Sequence, residues 1–564
     1  MTKLKIFGTR QNVTSPVLVE KFLYELIETQ PKYPEQLEHR KRRFSKQNEC
    51  APFQNRDLVV MAKKLKIEIP ASLAQLLQKR AVRTISGVSP IGILTKPYPC
   101  PGRCVYCPTE DRMPKSYMKN QPAAARALRN NFHPHKQVKN RIIALEESGH
   151  PVSKLEVIVM GGTWSFLPHK YQSWYVKKIF DAANGASEVI RKSLSAKTLK
   201  QAQKINETSD RRVIGLTLET RPDFITEREL VRMRRYGCTR IEIGVQTLDD
   251  DVQKLTKRGH DRRHVFRAMR LMKDFGFKVC WHIMPGLPGS TPEKDLAVMK
   301  EVFDNEECQP DFIKIYPCVV LETAELKQWW KDGRYEPYRD EEIVKLLVKF
   351  QTIVPPWVRI MRLMRDIPVS NILDGAKFSN LRQILTQQPQ KLRQLVGDDF
   401  FTEHGLDKKG VQFMDIRARE VGFKDLIANP DIVSVPPVLK RRNYRANGGD
   451  EVFLSFESED EKTIFALLRL RKPSGQKFEH FGSVLHNAAL IREVHSYGTE
   501  ISVGEEAGLG QHRGLGKRLI VEAEKIAREE WDLPRMTIIA GVGTREYYRK
   551  WGYELRSTYM TKKL

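Results

Sequence analysis

The stretch KPYPCPGRCVYCP, Lys96 to Pro108, places cysteines at 100, 104 and 107 in a chain of 564 residues that holds eight in all. The spacing is C-x3-C-x2-C, and it follows directly on a short β-type run, IGILT at 91–95. Three thiolates on one short loop can each hold one iron of a [4Fe–4S] cube and leave the fourth iron without a protein ligand. An iron left open in this way can bind a cofactor. A zinc ion would want a fourth Cys or His; His133 and His135 follow about 26 residues on, in a helical context. Plain packing of the three thiols is the remaining alternative.

Composition narrows the setting. Hydrophobic residues make up 40% and charged residues 29%, the balance of a globular protein, and no run of eighteen apolar residues offers a membrane span. The opening residues MTKLKIFGTRQNVTSP lack the continuous apolar segment of a secretion signal, so a cytoplasmic protein is expected. In that reducing compartment eight cysteines serve metal, catalysis or packing rather than a disulfide framework. The formal net charge of +27 exceeds what solubility needs and points to a polyanionic partner. Basic runs recur at HRKRRFSK (39–46), RIMRLMRDIP (359–368) and LKRRNYR (439–445). Each alone reads as a solvated face; together they favour nucleic acid, recognised through shape and phosphate.

Residues 1–80 carry amphipathic helical spacing and read as a basic helical extension. From 81 to 345 six β-type runs alternate with helical stretches: IGILT, LEVIVMGG (155–162), VIGLTLE (213–219), RIEIGVQ (240–246), KVCWHIMP (278–285) and FIKIYPCVV (312–320). The expected fold is α/β, a partial β/α (TIM-like) barrel with its site at the C-terminal strand ends. There Gly161, Gly162, Glu219, Arg221 and Gln246 would converge. Residues 346–440 read as a connecting domain and 441–564 as a second, smaller α/β domain.

The cysteine triplet at this place on such a barrel resembles the radical S-adenosylmethionine (SAM) superfamily. That resemblance implies Cys100, Cys104 and Cys107 as ligands of a [4Fe–4S] cluster, SAM on the open iron, and a 5′-deoxyadenosyl radical after one-electron cleavage. Tyr106, between the last two cysteines, would stack near the adenine. MGGT (160–163) looks like the glycine motif that meets the methionyl amine, so Gly161 and Gly162 are cofactor-binding candidates. Glu219 and Arg221 in LETRPD, with Gln246, would hold ribose and carboxylate.

In the last domain QHRGLGKRL, Gln511 to Leu519, opens a long amphipathic helix with a Q-x-x-G-x-G pattern. Glycines there let backbone amides approach a pyrophosphate, whose charge the helix N-terminus favours; a plain turn is the alternative. With REVHSYG before it and GTREYYRKWGY after it, the domain resembles the GNAT acyl-CoA-binding fold. Gln511, Gly514, Leu515 and Gly516 would then bind acetyl-CoA phosphates, Glu493, Val494 and His495 would line the pantetheine strand, and Tyr547 or Tyr548 would lie by the thioester.

A radical SAM barrel followed by a GNAT domain resembles the catalytic subunit family of Elongator, in its single-chain archaeal or bacterial form, the tRNA carboxymethyluridine synthases. The likeness runs from about residue 80 to the end, through VRTISGVSPIGILTKPYPCPG, VIVMGGT, GLTLETRPD, RGH (258–260), HIMPGLPG, RDIPVSNILDGAKFSNLRQ, RARE and GVGTREYYRKWGYE. It implies a tRNA anticodon stem-loop as partner, acetyl-CoA as co-substrate, a reductant, and 5-carboxymethyluridine as product; further subunits stay open. It also implies Lys154 as the acetyl-CoA-contacting lysine and Lys314 as a lysine of acetyl-CoA turnover. Where relatives carry thiols for a structural zinc, this chain has GVQFMDIRARE, with Met414 and Asp415, and Cys308 and Cys318 stand ten residues apart. No zinc is expected, and DIRARE reads as a polar clasp. The competing readings are a protein lysine acetyltransferase on a structural barrel, and a noncatalytic tRNA-binding assembly subunit.

Overall fold

The computed structural model describes residues 15–78, 87–185, 196–378, 380–406, 411–423, 435–497 and 514–564. They form two compact units, Met1–Ser89 with Asn140–Ser153, and Pro90–Lys139 with Lys154–Leu564. In the first, four helices, Pro16–Thr29, Pro34–Gln47, Asn55–Leu65 and Ala71–Leu77, close on an apolar centre in which Phe22, Phe44 and Phe53 lie ring against ring. The basic run 39–46 belongs to the second of these helices. Its Lys41 is buried against Glu38 and Arg43 pairs with Glu25, so not every charge in it faces outward.

The second unit holds both sheets. The strands β1 (Val88–Leu94), β2 (Lys154–Met160), β3 (Arg212–Thr220), β4 (Arg240–Gln246), β5 (Lys278–Ile283) and β6 (Phe312–Ile315) follow one another in space, and after the two-residue β7 (Val320–Leu321) the sheet ends on β8 (Arg359–Arg362). From β2 to β8 every neighbouring pair is parallel, the curled open sheet of a partial barrel. The six expected strands are all present. The seventh, β8, lies in the basic run 359–368, where dense arginine masks a four-residue strand. A short β9 (Ile372–Asp374) pairs with β7. The connecting helices start on polar caps: Thr226 accepts from Glu229 N, Asp261 from His264 N and Thr291 from Lys294 N, each satisfying an otherwise orphaned amide of a first turn.

Alternation along the strands sorts side chains by face. In β2, Leu155, Val157 and Val159 are buried, while Lys154 and Glu156 occupy the other face. In β4 the set Arg240, Glu242, Gly244, Gln246 shares a face, as does Lys278, Cys280, His282 in β5. The lumen is therefore charged, where barrels of this kind usually carry branched aliphatic layers.

The C-terminal sheet runs β10 (Val438–Ala446), β11 (Gly449–Glu457), β12 (Ile464–Lys472), β13 (Ala489–Ser496), β14 (Arg535–Ile538), then β16 (Tyr559–Lys563) and β15 (Glu554–Arg556) at the edge. All neighbours are antiparallel except β13 and β14, which are parallel over Ala489–Ile491 alone. This is the GNAT-type sheet that the sequence led us to expect. β10 is the run LKRRNYR: Arg441 pairs with Glu530, Arg442 with Glu457 and Glu461, and Arg445 with Asp450. Those arginines close an edge strand.

The sheet sits beneath the N-terminal ends of the barrel strands, held by buried ions. Asp311, just before β6, accepts from both Arg492 nitrogens at 2.6 and 2.7 Å, from Lys273 at 3.2 Å and from Val279 N at 2.9 Å. Arg492 also reaches Glu451 at 2.8 Å, and Arg471 joins Glu451 to Asp274. Around this core Glu207 takes Arg545 and Arg549, and Asp415 takes the Ile360 amide at 2.9 Å. Arg419 then bridges Glu457 and the Pro356 carbonyl, so DIRARE ties β8 to β11. Replacing Asp311 with Asn strips a buried carboxylate from three buried cations, Lys273, Arg469 and Arg492. Such a loss costs about 3–5 kcal/mol, so the urea midpoint of Asp311→Asn is expected to fall; an unchanged midpoint would show that the network adds no stability.

Candidate active site

The loop that follows β1 carries the three cysteines and is pinned on two sides. Val105 N donates to Thr256 O at 3.2 Å, and Leu326 N donates to Val105 O at 2.8 Å. Among the described residues the one group of His, Cys and carboxylate atoms within 4.8 Å of one another is Glu242, Cys280 and His282. Cys100, Cys104 and Cys107 thus stand wider apart than ligands of a single ion. Cys100 Sγ lies 3.6 Å from Thr163 Oγ1, and Arg258 Nη1 donates to Cys104 Sγ at 3.4 Å. Burial pushes Cys107 up to about 11, while Arg258 and Arg221 outweigh burial at Cys104 and bring it down. His133 and His135 stay with Trp174 in an edge-on aromatic group and are no part of this loop.

Beside the loop a cleft is lined by Thr95, Gly161, Gly162, Trp164 and Glu219, at the C-terminal ends of β1 to β3. Gly161 has φ +153°, and a Cβ there would stand 2.2 Å from Thr95 Oγ1. The position therefore requires glycine. Glu219 accepts from the Tyr117 hydroxyl at 2.8 Å and lies 4.0 Å from Lys314 Nζ. Arg221 is clamped by Asp223 at 2.9 and 3.0 Å and by Gly259 O at 3.2 Å. Its free Nη1 faces Gly102 of the cysteine loop rather than the cleft. Gln246 ends β4 with φ +71°. Tyr106 packs with Val105, Met118, Val252 and Leu287 and is not among the lining residues of the cleft.

Lys314 projects into the lumen, ion-paired to Glu242, which also meets His282 Nε2 at 2.8 Å. Burial alone would lower Lys314, but the Glu242 carboxylate more than reverses it and keeps the ammonium charged. Arg240 stands 3.6 Å from Glu242 and 2.6 Å from Glu156. Lys154 opens β2 at the other end of the strand from Gly161.

On the C-terminal sheet Gly516, Val494 and Tyr547 come together, while Glu493 and His495 alternate with Val494 along β13. β13 pairs with β12 as far as Ser496, but with β14 only to Ile491, so among the described residues no strand pairs with the β14 side of β13 from Arg492 on. The helix Leu515–Lys525 starts there on Gly514, at φ +81°. A Cβ on Gly516 would lie 3.4 Å from Ser496 Oγ, 3.6 Å from Tyr547 Oη and 3.8 Å from Val494 Cγ1. Tyr547 is 41% exposed while Tyr548 is buried beneath it, their rings 5.3 Å apart. Glu493 accepts from Arg469 at 2.9 Å and lies 3.7 Å from Lys278. Burial would raise it, yet these cations hold it at about 2. Burial brings neighbouring His495 down to about 4. Gln511 lies outside the described residues.

Arg258, Glu242, His282, Arg240 and Glu156 were not singled out from sequence. For Arg240 and Glu242 the signal was charge at alternate positions of β4, a strand buried on both faces; Arg258 lies outside the strands and carried no such signal.

Residues 98–302 match the radical SAM superfamily and residues 310–391 the radical SAM C-terminal domain. The class defined by barrel, cysteine loop and cleft is thus the radical SAM proteins. Among curated relatives, tRNA uridine(34) acetyltransferase of Dehalococcoides mccartyi (strain CBDB1) is 44% identical over 496 residues, covering 86% of this chain and 100% of the relative. The protein of that name from Methanocaldococcus jannaschii is 40% identical, covering 87% of each chain, and Elongator complex protein 3 of Homo sapiens is 38% identical, covering 86% of each. The solved structure of archaeal Methanocaldococcus infernus Elp3 with an N-terminal deletion superposes with a TM-score of 0.69 at 36% identity, covering 85% of this chain and 100% of that one. The chain belongs to the family of the tRNA uridine(34) acetyltransferases and Elongator complex protein 3.

Membership in the radical SAM superfamily implies a [4Fe–4S] cluster and SAM. The residues present fit both. Arg221 Nη1, Gln246 Oε1 and both His260 nitrogens are buried without a hydrogen-bond partner among the described residues. Buried polar groups of this kind need partners, and bound groups at the loop and cleft would supply them. Gly161→Ala is expected to destroy SAM binding in equilibrium dialysis while the iron content stays at the wild-type level; wild-type affinity in this variant would remove Gly161 from the cradle.

Proposed function

We propose that the chain is an enzyme that modifies the wobble uridine of tRNA, joining the methyl carbon of acetyl-CoA to uridine C5 in place of its hydrogen, after which water cleaves the thioester, CoA leaves and 5-carboxymethyluridine remains in the tRNA. The names of its relatives support the tRNA substrate. The observation that carries the reading is a run of charged groups through the barrel. Glu219 at the cleft, Lys314, Glu242, Arg240 and Glu156 follow one another from the cleft toward the strand that bears Glu493 and His495. One lumen thus joins a SAM-type rim to an acyl-CoA-type strand.

In this reading Cys100, Cys104 and Cys107 each hold one iron, and Gly161, Gly162, Glu219 and Gln246 orient SAM. Cluster and SAM together supply one-electron chemistry that yields a primary carbon radical able to take hydrogen from the acetyl methyl. The amides of Gly514, Leu515 and Gly516 receive the CoA pyrophosphate. The open β13 edge at Glu493, Val494 and His495 takes pantetheine through backbone hydrogen bonds. Tyr547 offers its hydroxyl at the thioester, with Tyr548 as its support. Lys154 meets a CoA phosphate or the thioester oxygen. Lys314, fixed as a cation by Glu242, orients the acyl oxygen and takes no part as a nucleophile.

The anticodon stem-loop, an external reductant and a cytoplasmic setting complete the proposal; no helix among the described residues is long and apolar enough to cross a membrane. Its test is nucleoside mass analysis of tRNA after anoxic incubation with reconstituted protein, SAM, a reductant and methyl-labelled acetyl-CoA. Labelled carboxymethyluridine is expected from the wild type and none from Cys104→Ser, while tRNA binding persists in both, since phosphate contacts need no cluster. An unmodified tRNA pool from wild-type protein with its cluster and tRNA binding verified would reject the reading in favour of amine acetylation. Affinity for tRNA should also fall steeply with salt.

A further inference from the structure

Arg258 is 7% exposed, and its guanidinium forms no ion pair with a carboxylate among the described residues. A buried charge without a counter-charge is costly, so the groups around it are informative. Nη2 donates to the Gly244 carbonyl across β4, and Nη1 donates to Cys104 Sγ at 3.4 Å. Gly244 makes room for this approach, because a Cβ there would stand 2.7 Å from Nη2. The backbone holds the arginine in place from both directions. Arg258 N donates to Gln253 O at 2.9 Å, Thr256 O receives the Val105 amide of the cysteine loop, and Gly259 O receives Arg221. The segment that carries Arg258 thus also pins the cysteine loop, through Thr256, and Arg221, through Gly259.

We infer that Arg258 is the counter-charge of the iron–sulfur cluster and sets its reduction potential through a charged hydrogen bond to the Cys104 sulfur. The inference rests on the reading of Cys100, Cys104 and Cys107 as cluster ligands. A cluster held by three thiolates becomes more negative by one charge on reduction. A guanidinium fixed at one of those sulfurs favours the reduced form and raises the potential. The neutral surroundings of Cys100, whose near neighbour is the Thr163 hydroxyl, cannot do the same. Arg258 is a positioning and tuning residue; it touches a ligand atom, not a substrate.

The test compares wild type, Arg258→Gln, Arg258→Lys and, as a control for general charge, Arg263→Gln, whose arginine is exposed and pairs with Asp261. Each protein is reconstituted anoxically, assayed for iron and sulfide, and titrated by EPR-monitored redox potentiometry without SAM or tRNA. Arg258→Gln is expected to shift to a more negative midpoint, Arg258→Lys to lie between it and wild type, and Arg263→Gln to match wild type. Loss of the cluster in Arg258→Gln with retention and a lowered midpoint in Arg258→Lys supports the same conclusion. A midpoint equal to wild type in a cluster-bearing Arg258 variant overturns it, as does equal loss of the cluster in both, which would make Arg258 a packing element. A wild-type protein that takes up no iron and sulfide would instead overturn the cluster reading itself.

Discussion

The geometry of the second unit depends on the buried ions around Asp311. Lys273, Arg469, Arg471 and Arg492 meet Asp274, Asp311, Glu451 and Glu493, four cations against four carboxylates, at the seam between the barrel's N-terminal strand ends and the C-terminal sheet. Ion pairs of this kind return little net stability for the desolvation they cost. What they contribute is register: a guanidinium that forks onto Asp311 at 2.6 and 2.7 Å cannot be satisfied with the sheet one residue out of place. An apolar seam would tolerate sliding that this one does not. The consequence is that β13 and the start of β6 are held as one body, and residues on either side can share a reaction.

The same preference for paired charge continues upward into the lumen. Arg240 and Glu242 occupy alternate positions of β4, and each finds its partner two strands away across the lumen, Glu156 on β2 and Lys314 on β6. A lumen that only had to be filled would carry Val, Ile and Leu. Holding charged groups there in one arrangement has a cost in desolvation that packing does not require, and function accounts for it better than stability does. The His, Cys and carboxylate group at Glu242, Cys280 and His282 has the composition of a metal site, but the Lys314 ammonium already sits on its carboxylate.

Much of this was legible in the chain. RIEIGVQ is a strand over its whole quoted length, and the other five barrel runs fall within a few residues of their strands, because apolar positions and flanking glycines mark them locally. β8 and β10 were hidden for one reason: RIMR and LKRRNYR read as surface charge, and the carboxylates that pair with them, Glu420, Glu530, Glu457 and Asp450, all lie outside the runs. The cysteines and glycines of the site were visible through spacing. Arg258 was quoted in RGH without a role, since its meaning lies in Gly244 and Cys104, 14 and 154 residues away. The basic excess read as a nucleic-acid surface is in good part consumed inside the molecule, so net charge indicated a kind of partner without indicating where it binds.

The two half-sites of the proposed function lie at opposite strand ends, which sets a condition on the reaction they would share. From Arg240 to Gln246 β4 spans about 20 Å at ~3.3 Å per residue, and reacting atoms must come within about 3–3.5 Å. An acetyl group bound at the open edge of β13 is thus not where hydrogen would be taken from it unless it moves along the lumen or the cofactor's adenosyl end reaches down into it. Lys314 stands between the two, within 4.0 Å of Glu219 above and joined to Glu242 below. A fixed ammonium at that depth can hold a carbonyl or carboxylate oxygen on the way from floor to rim. In the proposed function the charged lumen is the feature that joins the two chemistries, and the Asp311 seam is what keeps its floor aligned with its roof.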